Sequence, residues 1–336
     1  MKLDKRKRRL PNDLASTGLR VQKPKTPHAE LFEVLHWIGM APTAHIKYLF
    51  KLNGRKSEDA TARLITRYVS QTETPDGDTY LTRPDGQWPN IKTDWYNRRQ
   101  HLVHDLGLGG INYLKRNHKW VDHVLTHTNH WEHHVAECTA MWEFYLGIKE
   151  SQHTFVPHHR TFKDGLQPTA NEYKIPLVID GVEATTTLKP DAHFVIDYGI
   201  SARHIFFEMD MGTKQKTKIV HDKSTLERHH AQYRALIVKT GDKEPLYKSI
   251  FNTTDPALVI YCFNDKKQME LRMKQFKPCS WALFSYDERM KPVEKQKRGQ
   301  PLPSDPFPPM VSLDRWYMPY KRIGHPDFYL CKAERQ

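Results

Sequence analysis

The chain has 336 residues, 38% of them hydrophobic, so it is long enough to form two domains with apolar cores. Its 52 Lys and Arg residues outnumber its 39 Asp and Glu residues, and the net charge of +13 favours an anionic partner such as nucleic acid, a ribosome or an anionic membrane surface. The chain lacks an apolar run of roughly 20 residues, a secretory signal core and a C-x-x-C pair, which predicts a cytoplasmic protein with reduced thiols and no membrane partner.

Residues 1–27 predict a disordered basic arm. The segment carries nine Lys and Arg residues against two Asp residues and has few apolar anchors. Many such arms only increase solubility, but basic arms commonly follow a nucleic-acid backbone. We therefore favour a contact with DNA.

Residues 28–95 begin with three predicted short helices. The first has apolar residues at helical spacing and stops at Gly39. Thr43 is placed to cap the second helix, and Ser57 is placed to cap the third. Acidic residues in the first turn of the third helix suit the helix dipole.

A β-hairpin is predicted after the three helices. Asp76-Gly77 is a turn signal, and residues 79–82 predict the returning strand. Three helices followed by a β wing are typical of a winged helix, whose third helix enters the major groove of DNA. Winged helices also serve as protein-interaction modules, so the pattern leaves both uses open.

The DNA-contacting residues of this domain are predicted to be Arg55, Lys56, Arg63 and Arg67. Arg63 and Arg67 lie one turn apart on the third helix, away from its apolar side, and the other two precede its cap. Exposed Arg residues are usually only solvated charges. Their position beside a wing favours contact with DNA.

Residues 96–125 predict a connector containing a helix-like stretch broken by glycines, and residues 126–290 predict a second domain. This domain begins with a helix from about His127 to Gly147, continues with four strand-like runs, and then alternates helix and strand. The order predicts an α/β domain with a central mixed sheet. Residues 291–336 predict a Pro/Lys-rich tail whose aromatic run, 315–320, is able to fold back on the body.

Three carboxylates cluster in the second domain. Asp191 starts one apolar run, and Glu208 and Asp210 close the next run after a turn near Gly199. Acids at the ends of adjacent strands repel one another, so they usually require a cation, and carboxylate oxygens suit Mg²⁺. A polar hairpin whose acids face water would show the same spacing.

Glu137 is a fourth candidate because it falls within the apolar sector of the first helix of this domain. A carboxylate in such a place is costly unless it is hydrogen-bonded or bound to a cation. The sequence is equally consistent with Glu137 as a residue of the site and with Glu137 as a buried acid that only supports the structure.

The element order, together with these acids, resembles the PD-(D/E)XK restriction-endonuclease-like fold. The chain also resembles the narrower replication-relaxation family of plasmids and phages over about residues 28–285. That family joins a winged helix to a domain with a PDA strand, an E-x-D-x-G-T motif and a helix containing Tyr. The matching positions here are Pro190-Asp191-Ala192, Glu208-x-Asp210-x-Gly212-Thr213 and Tyr233.

The resemblance implies a mobile-element protein that acts on double-stranded DNA in replication or processing, with a homodimer and other replication proteins as further possible partners. Asp191, Glu208 and Glu137 would ligate Mg²⁺, for which Mn²⁺ could substitute, and Asp210 would assist. The nuclease pattern ends in Lys, where this chain has Asp210, so Lys214 is the candidate for the missing charge. Other lysines near this position are Lys216, Lys218 and Lys223.

Two other classes of function compete with a metal-dependent endonuclease. The first is a non-catalytic DNA-binding replication initiator or regulator, whose nuclease-like domain is structural. The second is a zinc protein, which is disfavoured because four ligands on one helix cannot surround a single ion. Its candidate ligands are His127, His130, His134 and Cys138, with His158 and His159 as outside additions. A rolling-circle relaxase fits less well, because His158-His159 lacks an intervening residue.

Overall fold

The fold is taken from a computed structural model, which describes residues 26–55, 57–70, 78–83, 103–121, 131–158, 172–179, 182–210, 226–239, 241–290 and 311–331. Over these residues the chain is a mixed α/β protein with nine α-helices and a mixed sheet of seven strands, so the predicted α/β class and mixed sheet are confirmed. No helix in these ranges is both long and apolar enough to cross a membrane. The predicted basic arm lies outside the described residues, except that Thr26 and Pro27 begin the first helix.

The chain divides into two compact units. Among the described residues, unit 1 takes those within Met1–Asp122, Cys138–Leu146 and Pro292–Ser312. Unit 2 takes those within His123–Glu137, Gly147–Lys291 and Leu313–Gln336.

Unit 1 contains four short helices and a small antiparallel sheet with strand order β1-β3-β2. Its elements are α1 (Thr26–Ile38), β1 (Ala41–Pro42), α2 (Thr43–Leu52), α3 (Glu58–Ser70), β2 (Leu81–Thr82), β3 (Val103–Leu106) and α4 (Leu108–Arg116). The three helices predicted for residues 28–70 are confirmed as α1, α2 and α3.

Two predicted helix boundaries in unit 1 are confirmed. Helix α1 ends before Gly39, which has a φ of 96° and donates its N–H to the Leu35 carbonyl at 2.8 Å. That left-handed conformation favours Gly. The Ser57 hydroxyl accepts from the Ala60 N–H at 3.2 Å, as a capping residue does before α3.

The predicted capping role of Thr43 is wrong. Pro42 occupies the cap position of α2, and no side chain there accepts a hydrogen bond. The Thr43 hydroxyl lies instead 3.0 Å from Nε2 of His104 on β3. A partner distant in sequence therefore replaces the local capping hydrogen bond.

The hairpin of unit 1 differs from its prediction. The turn expected at Asp76-Gly77 lies outside the described residues, and β2 pairs with β3, with Leu81 opposite Leu106. Strand β3 falls in the segment predicted as a connector. A hairpin is recognised in a sequence from a short turn between two strands. The pairing of β2 with β3 could not be recognised in this way, because about 20 residues separate the two strands in the sequence.

Glycines in the predicted connector allow close packing. Helix α4 lies against the strand residues before β2, and a Cβ added at Gly110 would lie 2.6 Å from the Tyr80 carbonyl oxygen. Gly107 donates its N–H to the same oxygen at 3.0 Å. The lack of side chains at these positions therefore serves close backbone approach.

Unit 2 is built on the seven-stranded sheet, with strand order β12-β11-β10-β9-β8-β7-β4. Its elements are α5 (Trp131–Glu150), β4 (Thr154–Pro157), β5 (Tyr173–Ile179), β6 (Val182–Leu188), β7 (Ala192–Asp197), β8 (Ala202–Asp210), α6 (Leu226–Ile237), α7 (Leu246–Phe251), β9 (Ala257–Phe263), α8 (Lys266–Met273), β10 (Cys279–Tyr286), a 3₁₀ turn (Glu288–Met290), α9 (Asp314–Tyr317), β11 (Tyr320–Ile323) and β12 (His325–Phe328). The middle of α5, Cys138–Leu146, belongs to unit 1.

The strand directions make the sheet mixed. Strand β7 pairs antiparallel with both β4 and β8, strands β8, β9 and β10 run parallel, β11 pairs antiparallel with β10, and β12 pairs antiparallel with β11. All seven residues of β9 are buried, which is typical of a central strand covered on both faces. Strands β5 and β6 form a separate hairpin.

The structure changes two predictions in unit 2. Helix α5 continues past Gly147 to Glu150, and at Gly147 a Cβ would lie 2.6 Å from the Cβ of Trp316. The second change concerns the predicted tail, of which residues 311–331 are described. They supply α9 and the two strands that extend the sheet beyond β10. The aromatic residues of this segment anchor it, because Trp316 and Tyr320 are fully buried.

Candidate functional site

The register of β7 and β8 brings Asp191 and Glu208 together. Ala192 pairs with Phe207, and continuing this antiparallel register by one residue places Asp191 opposite Glu208. The Met209 N–H donates to Asp191 Oδ2 at 2.7 Å, and this hydrogen bond fixes the Asp191 carboxylate beside the carboxyl end of β8.

Glu208 is almost fully buried, with 1% of its surface exposed, and two residues of α6 contact it. The Tyr233 hydroxyl donates to Oε1 at 2.7 Å, and Nδ1 of His229 lies 3.4 Å from Oε2. Burial raises the pKa of Tyr233 well above its usual value, and the charge of Glu208 adds to the effect. Tyr233 therefore remains a neutral hydrogen-bond donor to this carboxylate.

Helix α5 brings a third carboxylate to the pair. Burial and the negative charge of Asp191 raise the pKa of Glu137 well above its usual value; His133 opposes this rise and Glu208 adds to it. Nε2 of His133 lies 3.4 Å from Asp191 Oδ1, and Nδ1 of His134 lies 3.6 Å from Glu137 Oε2. The three acids predicted as metal ligands are thus electrostatically linked, and each has an imidazole beside it.

Asp210 follows Glu208 by two residues, so the two side chains leave β8 on the same face. Asp210 is buried, with 3% exposed, and its carbonyl accepts from the Asn264 N–H at 3.3 Å. Lys214, predicted to supply the missing positive charge, lies outside the described residues. So do Gly212-Thr213 and the other candidate lysines, Lys216, Lys218 and Lys223.

The fit of this cluster to a metal ion is incomplete. Carboxylate oxygens have the right chemistry for Mg²⁺ or Mn²⁺. However, no group of three or more His, Cys, Asp or Glu residues within the described ranges is arranged to hold a metal ion. Asp191 and Glu208 each already accept a hydrogen bond, from Met209 and Tyr233. As positioned, these residues do not form a metal site.

The zinc candidates are not brought together within the described residues. His127, His130 and His159 lie outside those ranges. The Cys138 thiol donates to the Ile38 carbonyl at 3.3 Å, and Nδ1 of His158 lies 2.9 Å from Nδ1 of His193.

Sequence reasoning missed the histidines that flank the acids. His133 and His229 come from different helices, and only the fold places them beside Asp191 and Glu208. His229 precedes Tyr233 by one turn on α6, which is a usable signal once Glu208 has been identified.

Sequence reasoning also missed a chain of three imidazoles, two of which, those of His193 and His204, are buried. Nε2 of His193 lies 3.2 Å from Nδ1 of His204, and Nδ1 of His193 meets His158. Phe206 and Phe251 pack against the His193 ring. A neutral imidazole has one donor and one acceptor, which suits such a chain in an apolar setting.

The predicted DNA-contacting helix, α3, has two distinct faces. Leu64, Ile65 and Tyr68 are buried, whereas Arg63 and Arg67 are exposed. The described residues therefore leave both guanidinium groups open to solvent on one side of α3.

Arg55 differs from the two exposed arginines. Its Nη1 donates to the Ala60 carbonyl at 3.3 Å, and its guanidinium lies 5.7 Å from the Phe50 ring centroid. It thus packs at the beginning of α3. Lys56 lies outside the described residues.

Comparisons of the chain with protein-family models, with curated proteins and with solved structures found no match.

Proposed function

We propose that this chain is a DNA-binding protein of a mobile element, acting in plasmid or phage DNA replication or processing. The observation that carries the proposal is the meeting of Asp191 and Glu208 at adjacent strand ends, with Glu137 electrostatically linked to both. Acids collected at strand ends in a strongly basic chain suit a site that acts on, or descends from one that acted on, a phosphodiester backbone.

The element order of unit 1 supports a winged helix. Helices α1, α2 and α3 precede β2 and β3, and the sheet order is β1-β3-β2. The third helix exposes Arg63 and Arg67 while its other face is buried. In this proposal α3 enters the major groove, and β2 and β3 belong to the wing.

The element order of unit 2 supports a PD-(D/E)XK-like domain. A long helix, α5, precedes the antiparallel strands β4, β7 and β8, and α6 then leads to the parallel strand β9. The nuclease candidate assigns metal binding to Asp191 and Glu208, with Glu137 or Asp210 assisting. This candidate requires both acids to exchange their present hydrogen bonds, from Met209 and Tyr233, for a metal ion.

A specific observation favours the non-catalytic candidate. The carboxylates of Asp191 and Glu208 already interact with a backbone N–H, a tyrosine hydroxyl and two imidazoles. Such contacts can stabilise a buried acid cluster in the absence of metal. In that case the chain binds DNA as an initiator or regulator, and unit 2 is structural.

The nuclease candidate predicts that D191A/E208A abolishes Mg²⁺-dependent nicking of supercoiled plasmid. Removing both acids removes the proposed ligands, whereas salt-sensitive DNA binding through α3 should remain unchanged. The measurement is agarose-gel conversion of supercoiled to nicked plasmid with and without Mg²⁺, together with a gel-shift titration.

The matched control is D242A/E244A, which removes two exposed acids from the turn before α7. It should nick like the wild type. Nicking that persists in D191A/E208A contradicts the assignment of those acids. A wild-type protein that binds plasmid but does not nick it with Mg²⁺ selects the non-catalytic candidate.

A further inference from the structure

Helix α8 starts at the carboxyl ends of the strands, on the side of the sheet where Glu208 and Asp210 end β8. It follows β9 directly, and Phe263 at the end of β9 is in register with Asp210 at the end of the parallel strand β8. Asp265 caps the helix, because its Oδ1 accepts from the N–H groups of Lys267 and Gln268 at 2.7 and 3.2 Å. The start of α8 is therefore fixed beside the carboxyl ends of these strands.

The inner face of α8 is used for packing. Met269 is buried, and Arg272, with 6% exposed, reaches Glu227 on α6 at 3.9 Å. These contacts fix the rotation of the helix about its axis. The opposite face must then point to solvent.

The outer face of α8 is strongly basic. The exposed residues of the helix are Lys266, Lys267, Glu270 and Leu271, and the exposed residues Lys274, Gln275 and Lys277 follow directly after it. These exposed residues therefore include four lysines and a single acid, Glu270, whose carboxylate lies 4.0 Å from Nζ of Lys266. Within the described part of the chain, Lys267, Lys274 and Lys277 have no acidic partner within 4 Å.

The spacing of these charges suits a phosphate backbone. Lys267 and Lys274 are seven residues apart on one face, so they lie about 10 Å apart along the helix axis. That distance is roughly three base steps along one strand of a duplex. Leu271, 50% exposed, is the apolar residue of this face, which is too little apolar surface for an interfacial membrane helix.

We propose that the outer face of α8 binds the sugar-phosphate backbone of duplex DNA. This surface would hold the duplex beside the strand ends that carry Glu208 and Asp210. The inference rests on the proposed function to the extent that DNA is the partner, but it assigns binding to unit 2 independently of α3. Because lysines contact phosphate as point charges, the surface would give affinity without base specificity.

The test is a charge reversal, K267E/K274E, in the full-length chain. Binding to a fluorescent duplex of mixed sequence is measured by anisotropy between 50 and 200 mM salt, chosen as roughly the range over which phosphate contacts dominate. We expect affinity to fall about tenfold or more, and the slope of log affinity against log salt to fall by about two. The matched control, K239E/K243E, makes the same charge change at exposed positions near the start of α7, before the amino end of β9. It should bind within about twofold of the wild type.

Each outcome has a distinct meaning. A loss confined to K267E/K274E, with an unchanged melting temperature, supports the α8 surface. Equal losses in both variants show a net-charge effect and overturn it. Full binding by K267E/K274E, with loss only in R63A/R67A, overturns the α8 surface and leaves DNA binding through α3 intact. If the wild-type protein binds anionic phosphatidylserine vesicles but not DNA, both this inference and the proposed function fail.

Discussion

Replacing Trp316 with Ala is expected to lower the free energy of unfolding by about 3–5 kcal/mol. The Trp316 ring is fully buried, and its Nε1 donates to the Ser151 hydroxyl at 2.8 Å. The substitution leaves a cavity and removes a buried hydrogen bond. Urea denaturation followed by circular dichroism at 222 nm measures the loss.

A double-mutant cycle with Gly147 isolates the contact between α5 and α9. A Cβ at Gly147 would lie 2.6 Å from the Trp316 Cβ, so Gly147→Ala should itself destabilise the protein by about 1–3 kcal/mol. Alanine keeps the Cβ at position 316, so the clash is fully relieved only in G147A/W316G, where the losses of G147A and W316G should sum to clearly more than the combined loss. Additive losses, or a W316A effect below about 1 kcal/mol, would show that Trp316 does not pack on Gly147.

Acidification from pH 7 to pH 5 is expected to destabilise unit 2 through His204 and His230. Burial lowers the pKa of His204 from 6.5 to about 4, although Asp255 partly opposes this, and burial with the charge of Arg234 lowers the pKa of His230 to about 4. Both residues are neutral in the folded protein and take up protons on unfolding below pH 6.5. Their stabilising contribution is therefore complete above pH 6.5 and is lost as pH falls towards 4, by roughly 1–2 kcal/mol each at pH 5.

The variant His204→Phe separates this contribution from other titrations. His204, 3% exposed, packs against Phe251 with ring centroids 4.9 Å apart, so an aromatic replacement preserves much of the packing. The difference in unfolding free energy between pH 7 and pH 5, measured in urea, should be smaller in H204F by about 1–2 kcal/mol. Identical pH dependence in the two proteins would rule out His204 as a source.

Local patterns in the sequence predicted much of the fold. Strand β9 coincides with the run 257–263 because a continuous β-branched and aromatic segment between turn residues has few alternatives. The end of α1 at Gly39 and the cap at Ser57 follow from chemistry within a few residues. The pairing of β7 with β8 around Gly199 follows from a short turn between two apolar runs.

Features that depend on distant contacts were not predictable in this way. Strand β3 pairs with β2 across a long insertion, and β11 adds to the sheet from a segment whose composition suggested a tail. The candidate site divides similarly. Asp191 and Glu208 were found from their spacing, but His133 and His229 reach them only through the packing of two helices.

The most direct test of the account is the salt dependence of DNA binding by the wild-type protein and R63A/R67A. Arg63 and Arg67 form an exposed pair on α3, so their removal should weaken binding to a duplex and reduce the salt slope by about two. The variant R63K/R67K, which keeps the charges, should retain most of the non-specific affinity. Wild-type binding that weakens steeply with salt and is impaired in R63A/R67A is the predicted result. A wild-type protein that does not bind duplex DNA at 50 mM salt, chosen as roughly the most favourable condition, would contradict the account.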